Sequence, residues 1–253
     1  MKLSEHRPNV WLTELVLPEF DVRGAVIVGE KRVMVWDTLS HPRDMQPVIA
    51  LAGDKPIDVV YSHADWDHCW GTAGLKADII IGHAACAERF RNGDVAARLT
   101  EKKAQEPGQW DAVKVIPPTL SFTQSMSIDL GGVWVELHHL PGHTEDCLVA
   151  WIPQWGVLLA GDTVETPLPY FNTESVQMLP QWIDLLDSWN SNPQVQTVIP
   201  AHGEIGDRSV VGQTLNYLRD VQAGRSAQVP SEMTAFYSET HASNQALMRA
   251  AAG

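Results

Sequence analysis

The chain has few cysteines, few basic residues and no long apolar runs. Its three cysteines (Cys69, Cys86 and Cys147) are an odd number at spacings that suggest no disulfide framework, and they point to reduced thiols in a cytoplasm. Cys69 and Cys147 each lie close to a His/Asp cluster, but they read as small buried hydrophobes rather than ligands. No run of about twenty apolar residues is present, so no membrane span is expected. The opening segment Met1–Pro8 lacks the apolar core of a secretory signal. Eighteen Lys and Arg stand against 31 Asp and Glu, a formal charge of −13. That balance excludes the basic groove of a nucleic-acid binder, and no Lys/Arg cluster interleaved with aromatics relieves it. The expected partner is a small-molecule substrate; the sequence leaves the oligomeric state open. No Ser or Cys sits in a nucleophile motif, and no internal repeat is evident.

The chemistry lies instead in His63-Ala64-Asp65-Trp66-Asp67-His68, four potential metal ligands within six residues. This stretch follows the buried-strand pattern Ile57–Ser62, so the ligands hang from a rigid element, as a preorganised site requires. In an extended turn, residues two apart point the same way. His63, Asp65 and Asp67 would then converge while His68 faces a neighbouring position. One ion cannot easily use all four at this spacing, whereas two adjacent ions can share them.

Three further segments repeat the design. His143 follows Val133–Leu137 within Leu140-Pro141-Gly142-His143-Thr144. Asp162 follows Val157–Leu159 within Ala160-Gly161-Asp162-Thr163. His202 follows Thr197–Ile199 within Pro200-Ala201-His202-Gly203. Each is a β-type run ending in a Gly- or Pro-containing turn that presents one His or Asp. Alone, each would pass as an ordinary turn residue; together they are hard to obtain by accident.

From about Val26 to Gly203 these motifs match, in order and spacing, those of the metallo-β-lactamase-fold hydrolases, and the chain resembles that family. The resemblance implies an α+β fold, a four-layer αββα sandwich. It implies a first ion held by His63, Asp65 and His143, and a second held by Asp67, His68 and His202, with Asp162 bridging both. It implies two divalent transition metal ions, zinc foremost, with iron or manganese as alternatives. Asp37, ending Val33–Trp36, matches an early strand-end Asp that supports the ligand loop; as a bare residue it reads equally well as a cap or turn. Support of that kind fixes ligand orientation.

The chain departs from the family at Asp65, which stands where the second loop histidine is usual. An anionic oxygen donor makes the first ion a poorer Lewis acid and shifts preference toward Fe or Mn. Some redox-active relatives, the flavodiiron proteins, carry a carboxylate at the matching place. A non-haem diiron redox enzyme is therefore the rival reading, weakened by the lack of a flavodoxin-like domain in this chain. A metal-binding regulator would normally have lost ligands.

Because the ligands run from His63 to His202 and must meet, residues 1–253 are expected to form a single domain, and 44% hydrophobic content supplies its core. A hairpin is expected over Gly24–Trp36, and helices over Pro42–Leu51 and Ala84–Ala97, with Leu99–Glu106 extending the second. Val113–Leu140 reads mostly as strand, broken at Pro117-Pro118 and at the hairpin signal Gly131-Gly132. Apolar spacing predicts a helix over Glu174–Trp189; a further helix is expected over Ser209–Gln222 with Asp207 as its cap, and a short one near Asn244–Ala250. His138 and His139 read as core or edge residues. His83 is placed to approach the site from a neighbouring strand end. Tyr170 reads as packing or as a group polarising a substrate oxygen, and Trp66 as a pocket lining or a loop anchor. The chemistry expected is metal-assisted hydrolysis of an ester, lactone, thioester, β-lactam or phosphoester. A hydroxide bridging the ions is the nucleophile, and Asp67 or Asp162 relays the proton.

Overall fold

The computed structural model describes residues 1–252. In chain order the elements are β1 (Lys2–Arg7), β2 (Val10–Val16), β3 (Asp21–Val28), β4 (Val33–Trp36), α1 (Gln46–Ala52), β5 (Ile57–Val60), α2 (Trp66–Cys69), β6 (Ala77–His83), α3 (Ala84–Arg91), α4 (Asp94–Gln105), β7 (Leu120–Phe122), β8 (Ser125–Asp129), β9 (Trp134–His139), β10 (Leu148–Ile152), β11 (Val157–Gly161), α5 (Thr173–Ser191), β12 (Thr197–Pro200), α6 (Arg208–Gln222) and α7 (Ala235–Ala252). Seven strands form one sheet in the order β1-β2-β3-β4-β5-β6-β7, and five form another in the order β12-β11-β10-β9-β8. Mixed sheets with helices make the α+β class expected from the resemblance. The chain divides into two compact units, Met1–Val16 with Val22–Leu137, and Leu17–Asp21 with His138 onward.

In the first unit, β3 and β4 pair antiparallel from Ala25↔Trp36 to Val28↔Val33, the expected hairpin. Strands β4, β5, β6 and β7 then run parallel. Val33–Trp36 and Ile57–Val60 are buried at every position. Such continuous burial is what a strand covered on both faces requires; Val33–Trp36 is apolar throughout, and the one charge in Ile57–Val60, Asp58, is paired with Arg32 at 2.6 Å. Trp36 pairs with Val60 and Val60 with Ile81, so these strands end level with one another. Asp37, His63 and His83 therefore leave the sheet along one edge. Asp37 and Leu39 both have φ near 58°. Non-glycine residues take this left-handed conformation only where their surroundings enforce it. Here the Thr38 amide between them donates to the His68 carbonyl at 2.7 Å, and the Gly71 amide donates to the Leu39 carbonyl at 3.0 Å.

In the second unit, β11 pairs antiparallel with β10 and parallel with β12, Leu159 opposite Ile199 and Gly161 opposite Pro200. The turns after β11 and β12 thus emerge at the same end. The core unites Trp151, Leu158, Leu179, Trp182, Leu186, Leu218 and Tyr237, drawn from strands and from α5, α6 and α7. Helix α5 carries Pro180 inside it and starts with a capping box, in which Asn172 and Ser175 satisfy each other's backbone amides.

The segment Pro42–Leu51 is helical as expected, a 3-10 turn over Pro42–Met45 leading into α1; the helices over Glu174–Trp189 and Ser209–Gln222 form, and the Asp207 side chain accepts from the Ser209 amide as the cap of α6. Four expectations are corrected. The helix read as continuous from Ala84 breaks at Gly93, whose φ of 94° ends α3 and starts α4. No strand forms over residues 113–116, where two prolines follow and prevent pairing. The C-terminal helix is longer than Asn244–Ala250, running Ala235–Ala252. The ligand loop is extended only to Asp65; from Trp66 it turns into α2, so Asp67 and His68 sit on a helical turn.

Candidate metal centre

In the first unit the strand-end loop brings His63, Asp65, Asp67 and His68 together, with the His63 and His68 rings 4.1 Å apart. His63 and His68 are fully buried and Asp67 nearly so. Asp37 lies beneath them. Its Oδ1 accepts the Ser62 amide at 2.7 Å, and its Oδ2 accepts the Ser62 hydroxyl at 2.7 Å and the His68 Nδ1–H at 2.9 Å. This settles Asp37 as loop support rather than a bare turn residue. The Ser62 hydroxyl has one proton and gives it to Asp37, so the 3.0 Å contact between Ser62 Oγ and His63 Nδ1 requires His63 to donate.

In the second unit the turns after β9, β11 and β12 bring together His143, Asp162 and His202, all buried. His143 Nδ1 donates to the Tyr170 carbonyl at 3.2 Å, and His202 Nδ1 donates to the Asp21 carbonyl at 2.5 Å. Phe20 packs edge-on against the His202 ring, centroids 5.1 Å apart. Helix α5 anchors two of the three turns. The Ser175 hydroxyl donates to the His143 carbonyl at 2.7 Å, Asn172 Nδ2 donates to it at 3.1 Å, and Trp182 Nε1 donates to the Thr163 carbonyl at 3.0 Å. Gly142 is required here, because a Cβ would lie 2.3 Å from the Trp182 indole.

All four histidines therefore carry a proton on Nδ1 and present Nε2 to a carboxylate. His63 Nε2 lies 3.6 Å from Asp65 Oδ2, and His68 Nε2 lies 3.8 Å from Asp67 Oδ1. His143 Nε2 lies 3.6 Å from Asp162 Oδ2, while His202 Nε2 lies 3.3 Å from Asp162 Oδ1. Two donors each about 2.1 Å from one tetrahedral ion lie roughly 3.4 Å apart. The spacings are long for hydrogen bonds and right for pairs of ligands on a shared ion. Nδ1 held by an oxygen acceptor is also the usual outer support of a metal-bound histidine. The donor set thus fits divalent metal, and each of the seven residues belongs to a His/carboxylate group that could hold one.

The other residues singled out in the sequence take structural places. His83 caps α3, its Nδ1 accepting from the Ala85 amide at 3.2 Å and its Nε2 lying 3.0 Å from the Thr123 carbonyl. His138 packs edge-on against Trp189, and His139 Nε2 donates to the Glu145 carbonyl. Trp66 stands in an aromatic group with Trp70 and Trp110, under the Lys102 ammonium 3.8 Å above its ring. Tyr170 supports His143 through its backbone and leaves its side chain exposed. Burial holds the Cys147 thiol well above its usual range, which keeps it protonated and poorly nucleophilic.

Sequence reasoning missed several contributors. Ser62 precedes His63, and nothing in its type marks a role. The Tyr170 and Asp21 carbonyls are backbone groups without any residue signature. Glu165 is buried, accepts the Tyr237 hydroxyl at 3.1 Å and the Tyr170 amide at 3.2 Å, and is pushed above the usual carboxylate range chiefly by burial. A lone Glu between Val164 and Thr166, in the loop after β11, gave no cue to it.

Histidine and carboxylate donors at strand ends, buried and pre-oriented, define a metal-binding protein by class. Residues 20–207 match the model of the metallo-beta-lactamase superfamily, and the chain belongs to that superfamily of hydrolases. It is 24% identical over 233 residues to a metallo-beta-lactamase type 2 of Bacillus cereus, covering 87% of this chain and 83% of that protein. It is 28% identical over 227 residues to the acyl-coenzyme A thioesterase MBLAC2 of Bos taurus, covering 79% and 74%. Among solved structures, a metallo-beta-lactamase from Pontibacter korlensis superposes with a TM-score of 0.67 at 18% identity, over 87% of this chain and 99% of that one. That likeness concerns the fold, which is the α+β fold expected. Among the described residues no helix is long and apolar enough to cross a membrane.

Proposed function

We propose that the protein is a binuclear metal-dependent hydrolase of small acyl compounds. His63, Asp65 and His143 hold the first ion, Asp67, His68 and His202 hold the second, and Asp162 is shared. The observation that carries this reading is the repeated pairing of an Nδ1-anchored histidine with a carboxylate oxygen at ligand-to-ligand spacing. Asp162 supports the sharing, since its Oδ2 faces His143 and its Oδ1 faces His202. The reading treats residues 1–253 as one working domain.

Bound ions supply Lewis acidity and lower the pKa of water, which removes the need for a side-chain nucleophile. The chain's own residues orient the donors, bury them and handle protons. Asp67 and Asp162 are the carboxylates placed to pass a proton to a leaving group. Zinc suits a set with four imidazoles, while the carboxylates leave iron and manganese as competitors. The two relatives are named for a β-lactamase and a thioesterase. Both names specify acyl bonds, so a thioester, lactone, ester or β-lactam is favoured over a phosphoester. A chain of charge −13 is also poorly suited to polyanions. Three buried thiols fit a reducing cytoplasm.

Elemental analysis of protein expressed with ample metal should give about two equivalents of transition metal. A panel of thioester, lactone, β-lactam and phosphodiester substrates should show hydrolysis of an acyl member that chelation abolishes. One equivalent or less would overturn the binuclear reading. Hydrolysis indifferent to chelation would overturn the metal-dependent one.

A further inference from the structure

The carboxylate that distinguishes this chain's ligand loop has a partner of its own. Arg89, on α3, places Nη2 2.6 Å from Asp65 Oδ1. The other oxygen, Oδ2, faces His63 Nε2 at 3.6 Å. Both side chains of the pair are about seven-tenths covered, Asp65 being 30% and Arg89 28% exposed. The two oxygens are thus given different tasks, one to a guanidinium and one to the ligand cluster.

This division has chemical consequences. A carboxylate standing where an imidazole is usual brings two differences: an extra negative charge, and a second oxygen able to close onto the same ion. A guanidinium never loses its charge and binds carboxylate oxygens with fixed directionality. Resting on Oδ1, it offsets the first difference and removes the second.

We infer that Arg89 is a positioning residue that holds Asp65 as a one-oxygen, charge-compensated ligand, so that Asp65 serves in place of a neutral histidine. The inference rests on the reading of Asp65 as a ligand of the first ion. It also revises the expectation that Asp65 makes that ion a markedly poorer Lewis acid. Arg89 lies 24 positions from Asp65 on a separate helix, which is why the ligand motif gives no hint of it.

The test loads the full chain with cobalt(II) and reads its visible absorption, which weakens as coordination number rises. Arg89→Ala frees Oδ1 to chelate, and absorption per bound cobalt should fall about twofold or more. Arg89→Lys keeps an ammonium on Oδ1 and should retain most of the parent intensity. In an Asp65→His background, Arg89→Ala should leave the spectrum unchanged, because imidazole has no second donor to bring to the same ion. An unchanged Arg89→Ala spectrum, or the same loss in the Asp65→His background, would overturn the inference. Should Arg89→Ala fail to fold by circular dichroism, the comparison is made with Arg89→Met, which keeps the stem without a donor, under the same two criteria. If the unaltered protein binds no cobalt, the proposed metal function fails instead, and the two failures are distinct.

Discussion

At the scale of single residues, Asp162 carries the most consequence, because its two oxygens face different histidines. Replacing an outer partner of a metal ligand commonly costs 10–100-fold in affinity, so on the proposed two-ion reading losing Asp162 should cost about a hundredfold or more at both sites. Losing His202 should chiefly empty the second. Metal titrations of Asp162→Ala and His202→Ala against the parent check this. A tight first site surviving in Asp162→Ala would make Asp162 the ligand of one ion only. The donors themselves were legible in the sequence, because His and Asp at four strand ends are chemically conspicuous wherever the chain places them. Their supports were not. Ser62 acts through a hydroxyl that relays between Asp37 and His63, and Tyr170 and Asp21 act through carbonyls that every residue possesses. Arg89 was hidden for another reason: pairing between separate elements is a property of the fold.

At the scale of elements, α5 acts as a brace. Its first turn and its middle fasten the turns bearing His143 and Asp162 through Ser175, Asn172 and Trp182. Ser175→Ala removes a buried hydroxyl from both the capping box and the His143 carbonyl. It should cost about 1–2 kcal/mol in stability, measured by urea denaturation. A loss within experimental error would show that Asn172 alone suffices. The amphipathic spacing of α5 was readable, because its apolar positions recur once per turn against one core, and α6 carried a cap signal in Asp207. The β1–β2 hairpin was not, since Lys2–Arg7 has Leu3 as its single aliphatic residue and lies at the sheet edge, paired only with β2. Helix α7 was underestimated because its Ala- and Ser-rich face gives a weak pattern. What places it is a buried polar contact: Asn244 accepts the Phe171 amide and donates to the Pro169 carbonyl.

At the scale of the molecule, bound metal and stability are linked, since ions that bind the folded chain and not the unfolded one stabilise it. At a free metal concentration about a thousand times Kd, one site contributes roughly 4 kcal/mol. A chain of this size shifts its Tm by about 2–4 °C per kcal/mol, so chelation should lower Tm by roughly 10 °C. Differential scanning calorimetry with and without chelator measures this, and an unchanged Tm would mean that metal is not integral to the fold. The charge of −13 acts in the same direction, because divalent cations relieve repulsion among acids that folding concentrates.

The uniform orientation of the four imidazoles bears on how metal would enter. Each ring holds its proton on the nitrogen facing a protein oxygen, so the lone pair on the other nitrogen is turned toward a carboxylate. Loading then needs neither a ring flip nor a tautomer change. Part of the orientational cost of holding these donors is met by the fold itself. Selectivity among metals then turns on the carboxylates and on the size and hydration of the ion, since the imidazoles all offer the same nitrogen.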